Sequence, residues 1–152
     1  MNRAMKKALL LTAIISVAAF AEQSAVTIEG KSIGVSYAPA ALNAKAFPGV
    51  AFHTDADLVF KGAAVPKGDY TLFVVPNGAA WQLVISKTRS GPRDPKLDAG
   101  RVPMTTAKAT APGAKVAVLK TAARAAKVEV TWDGMVGFAP FHLDRVAGDS
   151  EW

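Results

Sequence analysis

Apolar and polar residues alternate along most of this chain, and the alternation has period two. Residues 25–37 read AVTIEGKSIGVSY. Ile33, Val35 and Tyr37 fall on one face of the second run, while Ser32, Gly34 and Ser36 fall on the other. That pattern predicts half-buried strands. Glycine first in a two-residue loop suits a type II′ hairpin at Gly30-Lys31. Residues 38–49 are Ala-rich and bounded by prolines, and a short helix and an irregular crossover fit them equally. VAFHTDADLVF, residues 50–60, then resumes a strand-like pattern.

The stretch VPKGDYTLFVVPNGAAWQLVISK, residues 65–87, is the clearest. Tyr70 to Val75 is apolar on both faces, which predicts a central strand covered on both sides. Pro76 should end it, because proline cannot donate to a ladder. Asn77-Gly78 supports a tight reversal. Trp81, Leu83 and Ile85 then line one face, with Gln82, Val84 and Ser86 on the other. Thr88 to Gly100 reads as a long loop, and RVPMTTAKAT and KVAVLK read as further strands. In the last hairpin Val128, Val130 and Trp132 face inward, around a type I′ turn at Asp133-Gly134. Eight or nine short strands at this spacing predict one all-β domain, residues 22–145. The expected form is a single antiparallel β-sandwich, immunoglobulin-like or jelly-roll-like. Residues 146–152 read as a frayed tail.

The first 21 residues break the pattern. Arg3, Lys6 and Lys7 precede an apolar run from Ala8 to Val17, and Ala19-Phe20-Ala21 is a small-x-small site. That order predicts a secretory signal peptide cleaved after Ala21, and the run is short for a membrane span. The alternative is an uncleaved N-terminal anchor. Cleavage removes three positive charges and no negative ones. Fifteen basic residues then face twelve acidic ones, a charge of +3 in place of +6. No basic stripe is present, which argues against a nucleic-acid partner. The chain has no cysteine, so disulfides, thiolate chemistry and Cys-based zinc sites are excluded.

Candidate chemistry is sparse. His53-x-Asp55-x-Asp57 places an imidazole and two carboxylates on one face if the strand continues through them, and such a set suits a divalent ion. The competing reading is a polar outer face, since neighbours on one strand are more than ~6 Å apart and a closed site normally takes four ligands. His142 would have to meet His53 across strands to enlarge the site. Arg101, after Asp98, reads as an ion pair anchoring the long loop. Pro66-Lys67-Gly68-Asp69-Tyr70 reads as a tyrosine corner, with the Tyr70 hydroxyl returning to the backbone of the preceding turn. No nucleophile elbow, P-loop, zinc-protease or dinucleotide motif occurs, and no cofactor is expected.

Pro66, Gly68, Tyr70, Pro76, Trp81, Arg101, Val102, Pro103 and Trp132 together resemble the pattern of the bacterial family called domain of unknown function 2911. The resemblance runs roughly from Gly62 to Leu143, with IGVSYAPA near the start. It implies an exported β-sandwich and carries no known activity. In that family the crossover after the first hairpin is longer and polar; here it shrinks to ALNAKAFPGVAFHTDAD. The resulting expectation is an exported, non-catalytic protein, periplasmic or extracellular. It would bind an envelope partner or small ligand, with no membrane span in the mature chain. The alternative is a metal-binding protein or metal-assisted hydrolase using His53, Asp55 and Asp57.

Overall fold

The computed structural model describes residues 22–38, 47–77, 80–88, 93–110 and 113–144. The described chain is all-β. Eleven strands follow in order: β1 (Glu22–Ile28), β2 (Lys31–Tyr37), β3 (Val50–Thr54), β4 (Leu58–Phe60), β5 (Ala63–Val65), β6 (Gly68–Asn77), β7 (Ala80–Ser86), β8 (Asp98–Lys108), β9 (Lys115–Ala122), β10 (Ala125–Trp132) and β11 (Met135–Leu143). A 3₁₀ turn, Pro95–Leu97, precedes β8. Among the described residues no helix is long and apolar enough to cross a membrane. The predicted signal peptide, the tail and residues 39–46 lie outside the described residues.

The ladder runs without a break through β9-β10-β11-β8-β7-β6-β3-β2-β1. The pairings are antiparallel throughout. β11 divides its partners. Met135 to Phe138 pair with β8, and Phe141 to Leu143 pair with β4, which carries β5 on its other side. The result is one nearly closed, barrel-like sheet, whereas a sandwich has two separate ladders. The two ends of the path meet through side chains. The Val118 amide donates to Ser24 Oγ at 2.9 Å, and that hydroxyl points back to the Val118 carbonyl at 3.4 Å. The Val116 amide donates to the Tyr37 hydroxyl at 3.2 Å. Edge groups that a sheet would otherwise leave open are thereby satisfied.

Alternation fills the interior. Ile33, Val35, Val50, Phe52, Leu72, Leu83, Ile85, Val102, Val128 and Val130 are buried together. Each such side chain contributes about 1.5–3 kcal/mol by leaving water. Trp81 and Trp132 are the largest members, 5.8 Å apart, with Phe47 edge-on to Trp132 at 5.5 Å. Trp81 lies directly on β11 because residue 137 is glycine: a Cβ there would come within 2.7 Å of the indole. β6 and β7 are covered on both faces, since Phe73 and Val84 are buried as well as Leu72 and Leu83.

Several local expectations need correction. The first turn is Glu29-Gly30, not Gly30-Lys31. Ile28 pairs with Lys31, and both turn residues have positive φ, as a type I′ reversal requires and type II′ does not. Asp133-Gly134 takes the same form. Pro76 does not end its strand; it pairs with Trp81 inside β6. β3 starts at Val50, opposite Leu72, and does not reach Pro76, so no ladder bond is lost on that side. The loop after Thr88 is shorter than expected, because β8 begins at Asp98, opposite Ser86.

The entry to β6 is pinned locally. The Tyr70 hydroxyl donates to the Pro66 carbonyl at 2.7 Å, and the ring is buried. Gly68 has φ +146°, which side chains rarely adopt, although space for a methyl group exists. Tyr70→Phe removes one hydroxyl from a half-covered carbonyl and should cost about 1–3 kcal/mol. Gly68→Ala should cost more than the ~1 kcal/mol that a stiffer unfolded chain returns. Urea midpoints measure both; an unchanged midpoint in Tyr70→Phe rules out the pin.

Candidate functional site

β3 projects Ala51 and His53 outward between the inward Val50, Phe52 and Thr54. The strand stops at Thr54, whose hydroxyl bonds both the amide (3.1 Å) and the carbonyl (2.7 Å) of Ala56, bending the chain. Asp55 therefore sits in a turn and not on a strand face. It folds back, so that His53 Nε2 lies 2.7 Å from Asp55 Oδ1. Asp55 Oδ2 accepts from the Ser32 amide at 3.2 Å, and the Asp55 amide donates to the Ser32 carbonyl at 2.9 Å.

The third expected member is placed elsewhere. Asp57 lies beyond the bend and accepts from the Lys67 amide at 2.8 Å, bracing the tyrosine-corner turn. Its place beside His53 is taken by Asp69, directly opposite His53 on β6, with Asp69 Oδ1 2.6 Å from His53 Nδ1. Sequence reasoning missed Asp69 because the pairing of β3 with β6 is not written in local spacing. The Pro66-x-Gly68-x-Tyr70 motif held the clue, since it fixes where β6 starts.

His53 is thus flanked on both ring nitrogens. The Asp69 and Asp55 carboxylates, in that order of effect, raise its pKa above the ordinary histidine value. The Asp55 carboxyl is lowered, first by His53 and then by the Ser32 amide. An imidazole with both nitrogens engaged has no lone pair for general-base work or for metal ligation. Among the described residues no three His, Asp or Glu side chains converge on a common ion position. His142 is on β11, which shares no ladder with β3, and its Nδ1 lies 3.1 Å from the Leu143 carbonyl.

A second charged cluster holds the β7–β8 connection. Asp98 receives Arg93 through Nε (3.2 Å) and a terminal nitrogen (2.7 Å), and Arg101 through Nε (3.1 Å) and a terminal nitrogen (3.0 Å). Arg93 was not singled out from sequence. Asp98 is 10% exposed, and its carboxyl is held below the usual carboxylate range, chiefly by Arg93. Tyr70 is shifted the other way: burial raises its pKa, so the hydroxyl stays a donor to Pro66 and not an acid. Trp81 and Trp132 are core residues, as described above.

The concave feature beside His53 is a groove of about 230 Å³ on the outer face of β1, β2, β3 and β6. Ala25, Gly34, Ser36 and Ala51 give it a floor of small side chains, and His53 with Asp69 stands at one end. A larger groove, about 430 Å³, lies outside β10 and β11 between Lys115, Glu129 and Phe138. Both are open to solvent.

Metal should bind poorly. A divalent ion would have to displace the imidazole proton and separate His53 from one carboxylate. Calorimetric titration with zinc, copper and manganese at neutral pH should show nothing tighter than ~100 μM. Micromolar binding abolished by His53→Ala overturns this. Asp98→Asn should cost about 1.5–3 kcal/mol, the scale of hydrogen bonds to charged groups. The sign follows from the depressed carboxyl. Its stabilisation is complete above the unfolded value, about 3.9, and is lost as pH falls through the lower folded value. Urea midpoints from about pH 6 downward should show that acid step in the native chain and lack it in Asp98→Asn.

The family model described as "Protein of unknown function (DUF2911)" matches residues 46–139, from just before β3 into β11. No curated protein and no solved structure matches the chain. With His53, Asp55, Asp69, Tyr70, Asp98 and Trp132 inside the matched region, the chain belongs to the DUF2911 family of proteins of unknown function.

Proposed function

We propose that this chain is an exported, non-catalytic β-protein that binds a partner or small ligand in the cell envelope, using the groove on the outer face of β1, β2 and β3. The N-terminal order of basic residues, apolar run and Ala19-Phe20-Ala21 supports export. The groove carries the binding reading. It joins a floor of small residues to the hydrogen-bonded pair His53 and Asp69. Binding sites commonly take that form, an unobstructed surface with a few polar groups that set orientation. Metal-assisted hydrolysis has less support, because Asp57 is turned to Lys67 and His53 offers no free nitrogen.

Two measurements test this. Intact mass of the chain recovered from the envelope fraction of an expressing bacterium should correspond to a start at Glu22; a mass retaining Met1 to Ala21 overturns export. A photo-crosslinking residue at Ser36, in the groove, should give a defined adduct in that fraction. The same residue at Lys120, outside the groove, should not. Ala51→Arg, which fills the floor, should abolish the Ser36 adduct. Equal adducts from both positions, or a Ser36 adduct indifferent to Ala51→Arg, overturn the groove as the binding surface.

A further inference from the structure

We propose that His53 is a proton-operated latch: as an imidazolium it ties β3 to Asp69 on β6 and to Asp55 in the β3–β4 bend at once, and on losing its proton it can hold only one of these ties. The inference rests on geometry and does not depend on the binding reading. His53 Nδ1 is 2.6 Å from Asp69 Oδ1, and Nε2 is 2.7 Å from Asp55 Oδ1. An ionised carboxylate only accepts, so each short contact needs a hydrogen between nitrogen and oxygen. Two contacts need two protons. Carboxylic acids lose theirs about two units below imidazole, so both protons reside on the ring and both carboxylates are ionised.

Neutral imidazole keeps one N–H. Its other nitrogen then turns a lone pair toward a carboxylate, and that contact becomes repulsive. The proton leaves from Nδ1 or Nε2 to solvent, and no other group changes. The charged groups facing His53 are Asp69 from β6 and Asp55 from the β3–β4 bend. Lys31, in the β1–β2 hairpin, acts on Asp55, and β2 presents uncharged Gly34 opposite the ring. Asp55 Oδ2 also accepts from the Ser32 amide, so releasing the Asp55 carboxylate loosens that contact while the backbone bond from the Asp55 amide to the Ser32 carbonyl remains. Because the folded pKa is raised, the latch is closed below the unfolded value, about 6.5, and opens as pH rises through the folded value. His53 is 49% exposed, so added salt should weaken the effect without removing the hydrogen bonds.

The chain has two histidines, which makes the test direct. Ring-nitrogen NMR of the purified chain should show His53 protonated at both nitrogens below its titration midpoint, and that midpoint should lie above about 6.5. Asp69→Asn and Asp55→Asn should each lower that midpoint while the strand spectrum is kept. Exchange of the Ser32 amide, corrected for its intrinsic pH dependence, should quicken above the His53 midpoint and lose that step in His53→Gln. A titration midpoint at or below about 6.5 overturns the proposal. So does a midpoint unmoved by both Asn variants, or Ser32 protection that ignores the state of His53.

Discussion

A sheet that curls back on itself must settle what happens where its ends meet. Here β1 and β9 arrive side by side without a shared ladder, and two hydroxyls close the gap. Ser24 occupies both polar groups of Val118, and Tyr37 receives the Val116 amide. This seam determines the rest. With it closed, the alternating apolar faces of all the strands turn toward one enclosed core. The exposed edges that would invite another strand are blunted. Ser24 and Tyr37 both lie on the inward face of their strands, so the same period-two pattern that fills the core also delivers the closing hydroxyls.

Closure has a functional consequence. Barrels of comparable strand number can hold a ligand inside. This interior is filled by Phe52, Leu72, Leu83, Trp81 and Trp132, and Gly137 is needed to let one indole fit. On the proposed binding reading, a bound molecule meets the outer face. Around β6 and β7 that face is itself covered, as the burial of Phe73 and Val84 shows. The small-residue floor of β1, β2 and β3 is open, and the ionisable pair on its lining is His53 with Asp69.

What the sequence disclosed follows the range of the interactions. Alternation within seven or eight residues placed Ile33, Val35 and Tyr37, and Val128, Val130 and Trp132, on the buried face. Asp133-Gly134 identified its turn because the residues that need positive φ are adjacent. Glu29 was missed because glutamate rarely accepts positive φ, and a glycine beside it drew the turn one position along. Asp57 was assigned to His53 because period two assumes a continuous strand. One side chain, Thr54, bends the chain and breaks that assumption. Asp69 and Arg93 were missed for the opposite reason: their partners depend on strand register and loop path, which no local pattern records. The seam between β1 and β9 was equally invisible, since it depends on which end strands meet.

The two charged clusters do related jobs with opposite pH signs. Asp98 ties the β7–β8 connection down through Arg93 and Arg101, and it works while its carboxyl is ionised. His53 ties the β3–β4 bend, which holds Ser32 of β2, to β6, and it works while its ring is protonated. Both hold irregular segments against a sheet whose core, among the described residues, contains no titratable acid or base apart from tyrosine hydroxyls. The core is therefore indifferent to pH over the range where the connections respond. Acid loosens one connection and alkali loosens another, while the hydrophobic interior and the hydroxyl seam keep the strands in register between those limits.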